Sequence, residues 1–321
     1  MNLSENIIIT KFLQKLNFKM SETYNFKNDG AYIKIPKNNK LIVTNDSIFE
    51  SVDFFKNDPP ESIAIKIVTI NLSDLSAMGC KPYAYTLSLG LPKNISVNWL
   101  NRFTKKLYFL QKKYNFFLIG GDLSNTNRIS ISSNFFGKLK VKNKILLRSG
   151  SKLNDDIWLT GNLGESAIGL KIKQKKITLN PLYKKYYINK YLYPKHCFLG
   201  DKISQYASSA IDISDGFYGD LNKLIEDNHK GASIKSNFIP YSQKTNKLIK
   251  NKKISVNYLL SSGDDYELLF TSNVKNSMII KKLANKNNIK ITKVGKIIQK
   301  KGIYIDEKKV NIINKSFQHF F

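Results

Sequence analysis

The chain has 321 residues, of which 42% are hydrophobic and 24% charged, and this ordinary globular composition excludes a disordered or fibrous protein. The length suits two domains, each large enough to bury a core. No run reaches the roughly 18 consecutive apolar residues of a membrane span, and the N-terminus shows no basic segment followed by a long apolar one. Two cysteines, Cys80 and Cys197, are too few for a disulfide framework. We therefore expect a cytoplasmic protein of two domains.

The net charge is +28, from 52 Lys and Arg against 24 Asp and Glu. Such a balance suits a polyanionic partner such as nucleic acid. Lys, Asn and Ile are abundant along the whole chain, however, as codon drift on tolerant surface positions would produce, and charge runs usually mark solvated faces. We favour drift, and a nucleic-acid-binding protein stays the contrasting alternative.

The first elements already place acids at positions of interest. A segment of helical character precedes a β-rich run at 41–47 (LIVTNDS). The stretch from Asp58 to Gly79 predicts one long helix, with Asp58 as N-cap and Gly79 as its stop. Asp74 falls on the same helical stripe as the isoleucines of this stretch, so its carboxylate needs a partner.

The rest of the chain continues a mixed α/β pattern, with a polar, turn-rich stretch at 148–152 that predicts domains 1–149 and 150–321. In the first domain we expect a strand at 83–91, a helix at 96–115 and a buried strand at 116–122 (FFLIGGD) that ends in a Gly-Gly turn. In the second we expect a helix after Gly164, a strand and turn at 209–217, a helix at 221–225, a strand at 267–272, a helix at 278–284 and a strand at 289–295. Residues 175–200 and 238–257 are expected to be irregular basic connections.

Many of the acids lie in or beside turn-like motifs that contain Gly, Ser or Thr. In IGGDLSN (119–125), two glycines whose amides can approach a phosphate closely are followed by Asp122. In IDISDG (211–216), Asp212 and Asp215 flank Ser214 ahead of a helix. Ordinary turn chemistry accounts for either string alone, but several converging carboxylates repel one another and any phosphate unless a cation is bound. Mg²⁺ prefers oxygen ligands and bridges carboxylates to phosphates, so the set indicates magnesium-dependent phosphoryl transfer.

The P-loop string and the protein-kinase strings are absent, so a different nucleotide-binding fold is needed. Seven strings resemble, in order, the thiamine-monophosphate kinase family: NDSI (45–48), NLSDLSAMG (71–79), LIGGD (118–122), LLRSG (146–150), AIDISDG (210–216), SGDDYELLF (262–270) and SFQHF (316–320). This family is similar to aminoimidazole ribonucleotide synthetase and selenophosphate synthetase. The resemblance implies an N-terminal α/β domain that dimerises through a mixed sheet and a C-terminal α/β domain.

The reaction that the resemblance implies is transfer of the ATP γ-phosphoryl group to thiamine monophosphate, giving thiamine diphosphate and ADP. The acceptor is an ionised phosphate oxygen, so no covalent nucleophile or strong base is required. Direct in-line transfer then rests on positioning and on charge neutralisation by several Mg²⁺ ions. The partners implied are ATP, thiamine monophosphate and a second copy of the chain. A related ATP-dependent enzyme of the same superfamily is the nearest alternative.

The resemblance also assigns roles to individual residues. Those that match the metal ligands or adjoin them are Asp29, Thr44, Asn45, Asp46, Asp74, Asp122, Asp212 and Asp215. Catalytic roles fall to Asp122, Asp212 and Asp215, and the ATP contacts are Gly121, Asp122, Arg148 and Ser214, with Tyr114 as a weaker candidate. The substrate side is implied to contain Asp53, Asp264 and Phe317.

Three departures from the family pattern affect this site. Lys27-Asn28-Asp29 stands where the family has Gly-Asp-Asp, Asp53 replaces a histidine, and Asp264 replaces a glutamate. The metal-binding carboxylates are retained, whereas the substrate side is altered.

Overall fold

A computed structural model of the chain describes residues 4–18, 20–26, 31, 33–226 and 229–311. The chain divides into two compact units: an N-terminal unit, Met1–Leu75 with Cys80–Lys142, and a C-terminal unit, Ser76–Gly79 with Asn143–Phe321. The predicted domains differ from this division by the turn at Ser76–Gly79 and by residues 143–149. No helix in the described ranges is both long and apolar enough to cross a bilayer. The predicted mixed α/β fold class is confirmed.

The N-terminal unit is built on a four-stranded mixed sheet with the strand order β1-β4-β2-β3. Its strands are β1 (Asn39–Phe49), β2 (Lys81–Leu91), β3 (Phe117–Asn125) and β4 (Ser130–Lys140), and its helices are α1 (Glu5–Ile8), α2 (Pro60–Ala77) and α3 (Val97–Tyr114). Strand β4 pairs antiparallel with both β1 and β2, and β2 pairs parallel with β3. Short π and 3₁₀ turns follow α1 up to Phe26. Strands β1 and β3 therefore form the two edges of this sheet.

The alternation of side chains along β1 separates an inner face from an outer face. Ile48 is 2% exposed, whereas its neighbour Phe49 is 47% exposed. Helix α2 lies on the inner face, because Leu75 approaches Gly137 of β4 there and Thr44 of β1 donates a hydrogen bond to Asp74. The inner face therefore presents Thr44 and Asp46 to the helix that carries Asp74.

Helix α2 confirms the long helix predicted from the sequence, although it begins at Pro60. Asp58, the predicted N-cap, accepts the N–H of Phe55 at 2.9 Å and so closes the preceding turn. At the other end Gly79 has φ +76°, its N–H donates to Ser76 O, and Cys80 N–H donates to Leu75 O. These two bonds form a Schellman turn, for which glycine is the favoured residue.

A bidentate ion pair between Arg102 and Glu61 joins helices α2 and α3. Arg102 Nε and Nη2 donate to the two carboxylate oxygens of Glu61 at 2.7 and 2.8 Å. The hydrogen bond from Arg102 lowers the pKa of Glu61. Ser96 is the N-cap of helix α3: its Oγ accepts the N–H of Trp99, three residues later, at 3.1 Å, which is a common way for serine to begin a helix.

The C-terminal unit is built on a seven-stranded sheet with the strand order β11-β10-β7-β9-β5-β8-β6. Its strands are β5 (Asp156–Thr160), β6 (Ala207–Asp212), β7 (Gly231–Ile234), β8 (Leu268–Ser272), β9 (Ile291–Ile298), β10 (Gly302–Ile305) and β11 (Lys308–Lys309). Its helices are α4 (Glu165–Lys173), α5 (Pro181–Leu192), α6 (Gly200–Ile203), α7 (Phe217–Glu226), α8 (Gln243–Lys250), α9 (Val256–Ser261) and α10 (Ser277–Lys286). Neighbouring strands are antiparallel except β7 and β10.

Successive residues of β5 face two different cores. Ile157 and Leu159 belong to a cluster that contains Leu221 of α7, while Trp158 between them belongs to a cluster that contains Ile280 of α10. The sheet is thus covered by helices on both faces, which explains why β5 is an unbroken run of buried residues rather than an alternating one.

Two segments expected to be irregular are partly helical, so that expectation was wrong. Helix α5 lies within 175–200 and α8 within 238–257. Both carry the usual start signal: Asn180 Oδ1 accepts the N–H of Tyr183 at 2.9 Å, and Ser242 Oγ accepts the N–H of Thr245 at 3.2 Å. Their many lysines concealed this signal, because a charge-rich segment offers few apolar positions from which to read helical periodicity.

The predicted Gly-Gly turn is also wrong, because both glycines lie within β3. The register with β2 shifts so that Leu118 faces Tyr85 and Gly120 faces Thr86, which leaves Ile119 as an extra residue. At Gly121 an added Cβ would lie 1.9 Å from the carbonyl oxygen of Leu87, whereas at Gly120 it would meet nothing within 4 Å. Gly121 is therefore required for the pairing of β3 with β2.

We predict that Gly121→Ala destabilises the N-terminal unit by about 1–3 kcal/mol, the usual effect of overpacking, and that Gly120→Ala has little effect. The measurement is urea unfolding followed by tryptophan fluorescence in a Trp158→Phe background, so that Trp99 alone reports. Equal midpoints for the two alanine variants would contradict the steric role of Gly121.

Candidate active site

Two aspartates of the N-terminal unit form a carboxylate pair, which we call the Asp46–Asp74 pair. Asp46 comes from the inner face of β1 and Asp74 from the last turns of α2. Thr44, two residues before Asp46 and on the same face, donates its hydroxyl hydrogen to Asp74 Oδ2 at 2.5 Å. The period of two along β1 and the helical stripe of α2 thus bring three oxygen-bearing side chains together.

The Asp46 carboxyl is held in an environment that disfavours its charge. Burial, followed by the negative charges of Asp74 and Asp53, raises the pKa of Asp46 from 3.8 to about 7. Its Oδ2 atom is buried and has no hydrogen-bond partner in the described part of the chain. A carboxylate oxygen without a donor, next to a second carboxylate and a hydroxyl, fits a hard divalent cation such as Mg²⁺.

The neighbours of the pair divide between the two faces of β1. Asn45 points to the outer face, where its amide donates to Asn134 Oδ1 at 2.7 Å, so the structure does not bring it to the pair. Asp53 Oδ2 accepts the N–H of Phe49 at 2.8 Å, and this carboxylate acts on Asp46 through its charge. The predicted metal ligand Asp29 lies outside the described residues, as do Lys27 and Asn28.

Asp122 lies at the opposite edge of the same sheet. Asp46 pairs with Ser133, Ser133 with Leu87, and Leu87 with Gly121. Asp122 comes one residue after this row, on the edge strand β3. Three strand spacings, about 14 Å, separate β1 from β3. Because Mg²⁺ binds its oxygen ligands at about 2.1 Å, one ion cannot contact both Asp46 and Asp122 of the same copy.

Asp122 itself is exposed and accepts a hydrogen bond from Ser124 Oγ at 2.8 Å. It borders a cavity of ≈ 360 Å³ between β3 and the N-terminal helical segment. Apolar side chains such as Ile9, Leu13 and Leu118 line this cavity beside Gly120 and Gly121. No sequence motif indicated this cavity, although the four-residue spacing of Ile9 and Leu13 is typical of a helix with one apolar face.

Tyr114, the weaker candidate for an ATP contact, is the last residue of α3. The ammonium group of Lys113 lies 4.8 Å from the centre of its ring. The ring is half-buried, as is common for an aromatic residue at the end of an amphipathic helix.

In the C-terminal unit, the structure brings together Ser214, Asp215 and Asp264. Strand β6 ends at Asp212, which is 5% exposed, and the loop that follows leads into α7. This loop runs beside the segment before β8, because the N–H of Asp264 donates to Ser214 O at 3.0 Å and that of Tyr266 donates to Ile213 O at 2.8 Å. The predicted residues of both motifs therefore share one surface.

Backbone strain marks the segment that carries Asp264. Asp264 has φ +66° and Tyr266 has φ +51°, a region that L-residues rarely occupy and that is often found at functional sites. Tyr266 Oη donates to Asp264 Oδ1 at 2.6 Å. The shorter side chain that replaces the family's glutamate is thus held by its own loop.

Asp220 and Lys223 of α7, which no sequence motif indicated, organise the loop after β6. Asp220 Oδ2 accepts the N–H groups of Ser214 and Asp215, both at 3.0 Å. Lys223 Nζ donates to Asp220 Oδ1 at 2.9 Å and to Asp215 Oδ2 at 2.5 Å. Burial opposes the charge of Lys223, but the two carboxylates outweigh it and raise its pKa. The Asp-x-x-Lys spacing on a predicted helix was the available signal.

Beneath this surface lie two acids that keep their protons more readily than usual. Burial raises the pKa of Glu267 to about 7, and Thr160 Oγ1 donates to its Oε2 at 2.5 Å. Burial also raises the pKa of Asp265 well above its ordinary range, while both its oxygens accept the N–H of Gly164 at 2.9 Å. These contacts join β5, α4 and β8, and they give both acids a structural role.

The remaining predicted residues lie at the margins of the described site. Arg148 is exposed, in a segment that runs along β6, where Ala210 N–H donates to Leu147 O at 2.9 Å. Phe317 lies outside the described residues. Among the residues that are described, no three or more His, Cys, Asp and Glu side chains are grouped so as to hold a metal ion. The fit to magnesium therefore rests on the Asp46–Asp74 pair.

Comparison with known proteins identifies the family. Residues 27–139 match the family model "AIR synthase related protein, N-terminal domain". The thiamine-monophosphate kinase of Buchnera aphidicola subsp. Schizaphis graminum (strain Sg) is 40% identical over 328 residues, which cover 100% of both chains.

Solved structures agree with this similarity. The thiamine-monophosphate kinase of Stenotrophomonas maltophilia K279a superposes with a TM-score of 0.85 at 28% identity, covering 97% of this chain and 99% of that one. A structure described as AaThiL complexed with AMPPCP and TMP superposes with a TM-score of 0.79 at 28% identity, and 91% of each chain is covered. With conserved fold and similarity over the full length, the chain is an enzyme of the kinase class and belongs to the thiamine-monophosphate kinase family.

Proposed function

We propose that the protein transfers the γ-phosphoryl group of ATP to the phosphate of thiamine monophosphate, giving thiamine diphosphate and ADP. The observation that carries this proposal is the full-length similarity to thiamine-monophosphate kinases. A relative of the same fold is described as bound to AMPPCP, an ATP analogue, and to TMP. Both ligands are phosphates, which suits a site that carries several carboxylates only if cations accompany them.

We propose that Mg²⁺ is the cation and that Asp46, Asp74 and Thr44 hold one ion. The buried Oδ2 of Asp46, which has no hydrogen-bond partner among the residues that the structure describes, supports this assignment. Bound there, the metal would neutralise phosphate charge during an in-line transfer. The chain's own residues would position the phosphates and exclude water, since the acceptor oxygen of thiamine monophosphate needs no general base. We propose separately that Asp212, a buried carboxylate of the C-terminal unit, is also a metal ligand.

We expect the departures from the family pattern at Asp53 and Asp264 to change the affinity for the substrate more than the rate of phosphoryl transfer. Asp53 accepts a hydrogen bond from the N–H of Phe49 and Asp264 accepts one from Tyr266 Oη, so each carboxylate is held in place within its own unit. A carboxylate at either position attracts a cation at moderate range. The cavity beside Gly120 and Gly121 is lined by both apolar and polar groups and has a size suited to one aromatic ring system, so we assign it to the nucleotide base.

We further propose a cytoplasmic location. Neither Cys80 nor Cys197 forms a disulfide and both are buried, as is usual for proteins of a reducing compartment. Burial raises the pKa of the Cys197 thiol to about 12, so this thiol is not in its reactive, ionised form at neutral pH.

We propose that the enzyme is a homodimer that joins its sheets through β1 and β3. These long edge strands carry unpaired backbone groups that a second copy can pair with. Pairing β1 of each copy with β3 of the other would close two four-stranded sheets into a barrel and remove all edges. The same arrangement would bring Asp122 of one copy beside β1 of the other, close to Asp46, and so overcome their separation within one copy.

The reaction is tested by coupled ADP release with the purified protein, ATP, Mg²⁺ and thiamine monophosphate. We expect turnover that depends on all three additions, and a loss of at least about 10²-fold in kcat for Asp122→Asn, the scale seen when one charge-stabilising group is removed. The melting temperature should not change, since Asp122 is exposed. Glu226→Gln, at another exposed carboxylate, is the control with full activity. Absence of turnover above background would refute the proposed reaction.

The Asp46–Asp74 pair should make stability depend on pH and on magnesium. Because the folded-state pKa of Asp46 is raised to about 7, its contribution is complete below about pH 4 and is lost as the pH rises through 7. The raised pKa of Glu267 makes stability fall over the same pH range. The contribution of Asp46 is therefore measured as the difference between the wild type and Asp46→Asn.

In differential scanning fluorimetry without metal, we expect the melting temperature to decrease more between pH 5 and pH 8 for the wild type than for Asp46→Asn. Addition of Mg²⁺ at pH 8 should restore the wild type and leave Asp46→Asn unchanged. Asp201→Asn, which removes a carboxylate paired with Lys202 on the surface, should behave like the wild type. If Mg²⁺ raised the melting temperature of Asp46→Asn as much as that of the wild type, the assignment of the metal to this pair would be wrong.

The dimer arrangement is tested by complementation between Asp46→Asn and Asp122→Asn. Each homodimer should be inactive. In the mixed dimer, isolated with two different affinity tags, one site carries both substitutions and the other carries neither, so about half of the wild-type activity should return. An inactive mixed dimer, or a monomer in size-exclusion chromatography, would contradict the pairing of β1 with β3.

A further inference from the structure

The side chain of Lys223 lies between two carboxylates of the C-terminal unit. Its Nζ atom is 2.5 Å from Asp215 Oδ2 and 2.9 Å from Asp220 Oδ1. Asp220 is fully buried, and its second oxygen already accepts the N–H groups of Ser214 and Asp215. The ammonium group, both carboxylates and two backbone amides therefore form one connected network at the start of α7.

This network conflicts with a magnesium ion on Asp215. An ion bound to Asp215 Oδ2 would have to displace Lys223 Nζ or lie beside it as a second positive charge. Displacement would take from the buried Asp220 its only ion-pair partner among the described residues, and an unpaired buried charge is strongly unfavourable. Displacement of Lys223 would leave the Asp220 charge unpaired, and binding beside Lys223 would place two positive charges next to each other, so both are unfavourable.

The spacing of the residues explains why lysine suits this position. Lys223 is three residues after Asp220 on α7, so the two side chains lie on one face of the helix. Its flexible stem lets a compact ammonium group, with three donors, reach both carboxylates. One positive charge placed between two acids does here what a metal ion does in a carboxylate site.

We propose that the ammonium group of Lys223 is the built-in cation of Asp215, so that Asp215 binds no Mg²⁺ and instead fixes the loop that carries Ser214. Lys223 is thus a positioning residue: it holds the two loop amides through Asp220 and the loop carboxylate directly. The inference rests on the proposed function only in taking magnesium to be the enzyme's metal, because the ion pair is present without it. The enzyme then requires one metal ligand fewer than its aspartate motifs suggest.

The test counts bound Mn²⁺, as a probe for Mg²⁺, by electron paramagnetic resonance of the free ion. The full-length wild type, Asp215→Asn and Lys223→Met are titrated without nucleotide and again with AMPPCP. We expect Asp215→Asn to bind as many ions as the wild type in both series. Lys223→Met should bind one more, and the double variant Lys223→Met/Asp215→Asn should lose it again. Lys223→Arg, which keeps the charge, should retain the wild-type count.

A lower count for Asp215→Asn in either series would overturn the proposal, as would the absence of an additional ion in Lys223→Met. A purely structural ion pair would lower the melting temperature of Lys223→Met without changing its count. If Lys223→Met does not fold, the comparison of Asp215→Asn with the wild type still decides. The count does not depend on turnover, so failure of the proposed reaction in the ADP assay is a separate outcome.

Discussion

Carboxylates that stand close together need a positive charge or a proton, and this requirement organises both units of the chain. At the Asp46–Asp74 pair, burial and two neighbouring acids raise the pKa of Asp46 to about 7, so near neutral pH the pair holds a proton unless a metal replaces it. At Asp215 and Asp220, Lys223 supplies the charge permanently. The same electrostatic problem is solved in one unit by an exchangeable cation and in the other by a side chain.

The strand order of the N-terminal sheet determines which predicted ligands can act together. Because β4 lies between β1 and β2, Asp46 and Asp122 are at opposite edges, although both follow from motifs that look equivalent in the sequence. The period of two along β1 then separates Asn45 from Thr44 and Asp46. A list of acids cannot reveal either restriction, since strand order depends on pairings between residues far apart in the chain.

Elements with strong local signals were predictable, and those decided by tertiary contacts were not. Helix α2 followed from apolar periodicity and from Gly79, whose positive φ makes it a local stop. The Gly-Gly turn failed because Gly121 allows β3 to approach the Leu87 carbonyl, a distant contact that looks like a turn signal in sequence. The role of Lys223 was concealed in a different way: one lysine among 52 Lys and Arg has no visible partner until Asp215 and Asp220 are brought beside it.

The charge of +28 and the acidic site act over different distances. Exposed charges are screened beyond about 8–10 Å at physiological ionic strength, so most surface lysines cannot lower the pKa of Asp46 against burial and its two acidic neighbours. At longer range, the summed positive potential draws in anions and speeds their arrival. ATP and thiamine monophosphate are both phosphates, so the basic surface suits the proposed substrates and requires no nucleic-acid partner. Within the site, the decisive charges are those in direct contact with a carboxylate. At Oδ2 of Asp46 no donor of the described part of the chain makes such a contact, so this is the position that a bound cation would fill.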